Sequence, residues 1–181
     1  MSISPDREAL DGLRVVAHPL RIRLLSLLTG ESLSAADAAR VLGETQANVS
    51  YHLRRLAQAG LVDLVEQTRV RGGTAKKYRH NPASGESLTS GDSDGHSALM
   101  GSMSGELTRR AAQYVAGSPL AFTDAEVWVS ADAWARIQEL TRDLGKAIHD
   151  SAGPNGAEGL VRIGATLAVF RMGAPVDDAI S

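Results

Sequence analysis

Residues 45–60 read TQANVSYHLRRLAQAG. Val49, Leu53 and Leu56 recur at spacings of four and three, which is one face of an α-helix. Thr45 is placed to cap that helix and Gly60 to end it. Its remaining faces carry Gln46, Asn48, Ser50, Tyr51, His52, Arg54 and Arg55. Such a helix has a greasy stripe for a core and a polar, basic remainder. Everything else in the N-terminal half depends on what surrounds it.

Upstream, Ser34 and Asp37 form the two ends of a capping box that opens a short alanine-rich helix. Ala36, Ala38, Ala39 and Leu42 lie along it, and Gly43 stops it one residue before Glu44. Two helices joined by so tight an elbow are a helix-turn-helix. Before them, Pro19 suits the first turn of a helix over LRIRLLSLLT, with Leu20, Leu24, Leu27 and Leu28 inward and Gly30 as its C-cap. His18 is expected to assist the start of that helix. A first short helix is predicted from Asp6 to Val16, with Leu10, Leu13, Val16 and Ala17 on one face. Downstream, Leu61, Val62, Leu64, Val65 and Val70 favour a strand, Gly72-Gly73 a hairpin tip, and Tyr78 a return strand. Four helices and a β-hairpin in about 80 residues make a winged helix-turn-helix.

The chemistry of that order points to double-stranded DNA. Gln46, Asn48, Ser50 and Tyr51, near the start of the fourth helix, are the expected base-reading set. Asn and Gln pair bidentately with adenine in the major groove, and Tyr51 suits phosphate or a thymine methyl. Thr45, His52, Arg54 and Arg55, with Arg69, Arg71, Lys76 and Lys77 on the hairpin, are the expected phosphate or groove contacts. His52 stands next to the inward Leu53, so packing beneath the hairpin is its other reading.

Charge supports the division. The chain has 181 residues and a net charge of −2. Residues 1–82 nevertheless hold 12 basic and 8 acidic side chains, and residues 83–181 hold 7 and 13. A basic module joined to an acidic companion suits a nucleic-acid reader with a second domain, although unlike surfaces on two domains would look the same. Three segments follow: a winged helix-turn-helix at 1–82, a Gly/Ser/Asp-rich linker or loop at 83–97, and a second unit at 98–181.

Leu13–His80 resembles the winged-helix domain of ArsR-like bacterial transcription regulators. The resemblance rests on HPLRIRLLSLL (18–28), the alanine-rich helix ending in VLG (35–43), and NVSYHLRRLAQAGLV (48–62). It covers well under half of the chain. It implies a homodimer that binds an operator and represses. Metal-sensing members carry a Cys-x-Cys pair on the helix before the recognition helix. Here that helix reads SAADAARVLG, and the chain has no cysteine. The nearest echo of the family's Asp/His metal site is Asp92, Asp94 and His96, within the linker, where solvation is the expected fate. No metal and no cofactor is expected.

The second unit opens with a predicted helix from Ala98 to Ala116. Met100, Met103, Leu107, Ala111 and Tyr114 form a stripe that suits pairing with a second copy, as the resemblance implies. Next, AEVWV (125–129) reads as a strand. Ser130 caps a helix at 131–151 with Trp134, Ile137, Leu140, Leu144 and Ile148 on one face. LVRIGATLAVFRM (160–172) alternates as a second strand, with Val161, Ile163, Ala165, Leu167 and Val169 on one side. The fold expected overall is mainly α with a β-wing, followed by a dimerisation helix and a small strand–helix–strand unit. That unit reads as a dimer platform or as a pocket for a small-molecule or protein effector. Its aromatics, Tyr114, Phe122, Trp128, Trp134 and Phe170, are expected to form its core.

No apolar run approaches the length that crosses a bilayer, and residues 1–12 are too acidic for a signal peptide, so a cytoplasmic protein without membrane contact is expected. No phosphate loop, nucleophile elbow or acid–base pair is present, so an enzyme is not expected. The rival function is a winged helix used for protein–protein contact without specific DNA binding.

Overall fold

The computed structural model describes residues 13–70, 73–84 and 93–173. Helical residues 13–16 (α1) lead into α2 (Pro19–Gly30), β1 (Leu33–Ser34), α3 (Ala35–Leu42), α4 (Gln46–Gln58), β2 (Val62–Val70), β3 (Gly73–His80), α5 (Ser93–Ala111) and α6 (Ala131–Asp150). Most of the predicted first helix, with Leu10, lies outside the described residues.

The helix starts follow the chemistry of their caps. His18 Nδ1 accepts from the Leu20 N–H at 3.2 Å, and Pro19 opens α2 without a donor to waste. Ser34 Oγ accepts from the Asp37 N–H at 3.2 Å and donates to the Asp37 carboxylate at 2.6 Å. Thr45 Oγ1 accepts from the Asn48 N–H at 3.2 Å. Gly43 sits at φ 68° and closes α3 in the left-handed conformation, which makes the elbow before α4. Gly30 behaves differently from the expectation. It stays inside α2, and Glu31 is the cap. Its missing side chain serves a close approach instead: a Cβ there would collide with the Gly153 carbonyl oxygen.

The core belongs to the N-terminal module. Leu24, Leu28, Val49, Leu53, Leu56 and Leu61 are fully buried, joined by Val15, Val16, Leu20, Ala38, Ala39, Val62 and Tyr78. Leu27 and Leu42 pack at its edge, whereas Ala36 faces solvent. The sheet has three antiparallel strands in the order β1-β3-β2. β2 and β3 form the hairpin, running from Val62 opposite His80 to Val70 opposite Gly73, with an irregularity between Leu64 and Glu66. β1 is a two-residue addition on the β3 edge, Leu33 facing Tyr78. It is too short to show an alternating pattern in the sequence.

The second half departs from expectation in three ways. First, α5 begins at Ser93, inside the segment assigned to the linker, so Asp94 and His96 are helical; Asp92 lies outside the described residues. α5 ends at Ala111, and Tyr114 lies beyond it. Second, α6 forms where predicted, capped by Ser130, whose Oγ accepts from the Ala133 N–H at 3.2 Å. The two flanking strands do not form: residues 119–130 and 160–173 carry neither helix nor strand. A strand is a shared structure, because its backbone donors and acceptors need a neighbour to pair with, and among the described residues none pairs with these segments. Third, the aromatics are not a core. Trp128 is 87% exposed and Phe122 81%, while Phe170 and Tyr114 are each about half exposed and Trp134 is intermediate. No residue of α6 is buried. The winged helix-turn-helix was legible; the strand–helix–strand unit is a helix between two unpaired segments.

Candidate nucleic-acid interface

α4 is held by its inward stripe, so its outer face is fixed. Val49, Leu53 and Leu56 are buried against the rest of the module. A helix locked on one side exposes the residues about half a turn away. Thr45, Gln46, Asn48, Tyr51, Arg54 and Arg55 are exposed, and Ser50 is intermediate. Two of these are already engaged. Asn48 Nδ2 donates to Glu44 Oε2 at 3.1 Å, and Arg54 Nε donates to the Ser50 carbonyl at 3.3 Å.

His52 departs from this group. It is 7% exposed and its ring lies 4.6 Å from that of His18, with Tyr51 edge-on at 5.1 Å. The expected phosphate contact is therefore replaced by packing, because His52 follows Leu53 inward under the start of α2. Burial first, then the neighbouring His18 and Arg21, lower its pKa; Glu44 pulls weakly the other way. The His18 pKa is lowered by burial and by Arg21.

Arg21 is a residue the sequence reading passed over. It lies on α2 close enough to Arg55 and Tyr51 for their charges to be felt. Burial and the Arg55 charge lower its pKa, and Tyr51 opposes them. Its Nη2 donates to the Arg14 carbonyl at 3.5 Å. Arg21 on α2 thus stands near enough to Arg55 on α4 for each to feel the other's charge. The pattern HPLRIR offered one signal, a charged residue between inward Leu20 and Leu24, but helical periodicity alone does not aim it at α4.

On the hairpin, Arg69 and Lys76 are exposed. Lys77 is spent partly on its own sheet, its Nζ lying 2.8 Å from Glu66 Oε2 across the strands. Each partner's pKa moves to favour the charged pair, through that hydrogen bond. Arg71, at the hairpin tip, lies outside the described residues.

The expected dimer stripe on α5 is split. Met100 and Met103 are half-buried, and Leu99 packs against the core; Leu107, Ala111 and Tyr114 are exposed. Glu106 is buried and binds Arg109 Nη2 at 2.8 Å. Among the described residues no three His, Cys, Asp or Glu side chains converge on a metal position, and no helix is long and apolar enough to cross a membrane.

One cleft joins the two halves. It has a volume of about 340 Å³ and is lined by Thr29, Arg79, His80, Pro82, His149, Asp150 and Ala152. The His80 and His149 rings meet edge-on at 4.9 Å. Burial, and then His149, hold the His80 pKa down at about 4, against a weaker pull from Asp63.

Residues 16–65 match the model of a helix-turn-helix domain. With the β2–β3 hairpin behind it, the assignment is complete. The N-terminal module is a winged helix-turn-helix. A solved structure titled "Crystal structure of Possible transcriptional regulator for arsenical resistance" is 28% identical to the chain. The match covers 59% of this chain and 98% of that one, with a TM-score of 0.33. No curated protein matches. The winged helix-turn-helix supplies the exposed face of α4 and the basic hairpin; α5 and α6 stand outside the matched domain.

Proposed function

We propose that the protein is a sequence-specific DNA-binding transcription regulator that acts as a homodimer and represses its target. The observation that carries this is the outer face of α4. Gln46, Asn48 and Tyr51 stand exposed on its first turns, with Arg54 and Arg55 following, over a stripe buried to completion. The first turns of such a helix enter the major groove, where Gln and Asn read adenine. Arg54, Arg55, Arg21 and the hairpin cations Arg69 and Lys76 supply the phosphate contacts. A two-fold dimer sets two such helices on half-sites about 34 Å apart, and repression follows where such a site overlaps the promoter and the bound dimer excludes the polymerase.

The cleft between the foot of the wing and the end of α6 is where an effector would couple the two halves. A molecule bound there touches both Arg79 of the hairpin and His149 of α6.

The test is titration of the full-length protein against fragments of its own upstream DNA at several salt concentrations. Affinity should fall steeply with salt, and each phosphate-binding cation removed should lower the slope of log K against log salt by about 0.9. A protein that ignores its own upstream DNA at low salt is not this regulator.

A further inference from the structure

The segments on either side of α6 have the composition of buried strands and the exposure of unpaired ones. Val161 is 85% exposed, and Val127, Trp128 and Ile163 are each more than two-thirds exposed. Among the described residues from 112 to 173 none is buried. A side chain the size of Trp128 carries about 150–250 Å². Phe122, Val127, Trp128, Leu160, Val161 and Ile163 are all exposed along the two segments, whereas surface hydrophobics on a monomer are ordinarily scattered singly.

The two segments also differ in sign. Asp124 and Glu126 stand on the first, Arg162 and Arg171 on the second. The second is held beside α5, where Arg110 Nη1 donates to the Ala165 carbonyl at 2.9 Å. It thereby continues the exposed Leu107 face of the same helix.

From this we infer that residues 124–129 of one chain pair with residues 160–171 of a second copy, completing a β-sheet shared by two chains. A two-fold axis makes the arrangement self-consistent: the acidic segment of each copy meets the basic segment of the other, and both edges are filled at once. The pairing supplies the strand neighbours that the two segments lack among the described residues, and closes Trp128 and Val161 away from water. α6, amphipathic and uncovered, then packs on the shared sheet. This deepens the proposed homodimer by naming its interface, which a helix-only dimer through α5 would leave open to solvent.

The experiment is sedimentation equilibrium of the full chain without DNA, paired with amide hydrogen exchange. The wild-type chain should be dimeric at micromolar concentration, with the amides of 125–129 and 161–169 protected. Trp128→Asp combined with Val161→Asp should weaken association at least about a hundredfold, while leaving the melting of the N-terminal module, followed by its exchange protection, unchanged. Glu126→Arg and Arg162→Glu should each weaken self-association about tenfold. An equimolar mixture of those two variants should recover the wild-type affinity, because only the mixed pair sets opposite charges together. Three outcomes would overturn the proposal: a wild-type monomer at tens of micromolar, a dimer untouched by the Trp128/Val161 double substitution, or a mixture no tighter than its parents. A dimer that behaves as described but ignores DNA sinks the regulator reading and leaves the shared sheet standing.

Discussion

The N-terminal module and the C-terminal half are built from similar material and end in opposite states. Both contain amphipathic helices with polar caps; Thr45 and Ser130 even accept the same bond at the same 3.2 Å. In the module, four helical segments and a hairpin turn their apolar sides toward one point, and six large side chains are wholly buried. In the second half, α6 has an apolar stripe of the same kind and not one buried residue. The difference teaches that amphipathicity specifies a face, not a partner. A helix finds its core only if another element of the same chain, or of another chain, arrives at that face.

The sharpest way to break the comparison is to cut an equivalent side chain from each half. Leu53→Ala should destabilise the module by about 2–5 kcal/mol in urea unfolding. Leu144→Ala on α6 should cost far less in dilute solution, and any cost should grow with protein concentration. Equal, concentration-independent losses would mean that α6 is as well packed as α4.

Next in size is the charge on the reading face. Arg54→Ala with Arg55→Ala should lower the DNA salt slope by about two, measured by fluorescence anisotropy. The matching change on α6, Arg136→Ala with Arg142→Ala, should leave the slope alone. A drop in both would spread the interface over both halves.

A third test probes where the halves meet. The His80 pKa is depressed to about 4 by burial and His149. A depressed histidine contributes stability that is complete above its unfolded value near 6.5 and drains away as the pH falls through 4. Unfolding free energy should therefore decline between pH 6.5 and 4. His80→Phe should flatten that decline; an unchanged decline would mean that His80 does not carry it.

Smallest is the cap. Thr45→Ala should cost the module about 1 kcal/mol, seen as a lower urea midpoint. Ser130→Ala should fray α6, seen as faster exchange of its first amides, with no change in that midpoint.

The legible parts of this molecule are those whose cause is local. The Ser34 and Thr45 caps, the Gly43 elbow, the Leu20/Leu24/Leu28 and Val49/Leu53/Leu56 stripes and the hairpin each follow from a few neighbouring residues, and each is present. The parts that differ have distant causes. His52 is buried because His18, 34 positions earlier, stands over it. Arg21 comes within reach of the Arg55 charge on α4 only through tertiary packing. The alternation in 160–172 is real, but a strand also requires an edge to join, and that requirement is written in no single stretch. On the reading face itself, exposure followed from the stripe, whereas the pairing of Asn48 with Glu44 did not.

Gly30 carries a consequence of its own. Within a helix, glycine is about 1 kcal/mol less favourable than alanine, so Gly30→Ala would ordinarily strengthen α2. Here the added methyl meets the Gly153 carbonyl oxygen, a rigid backbone atom. The substitution pits a gain inside one helix against the seam between the halves. A protein altered there would keep a sound reading head while the segment after α6 was pushed off it. Position 30 thus works as a hinge pin, where one carbon atom separates a tight joint from a loose one.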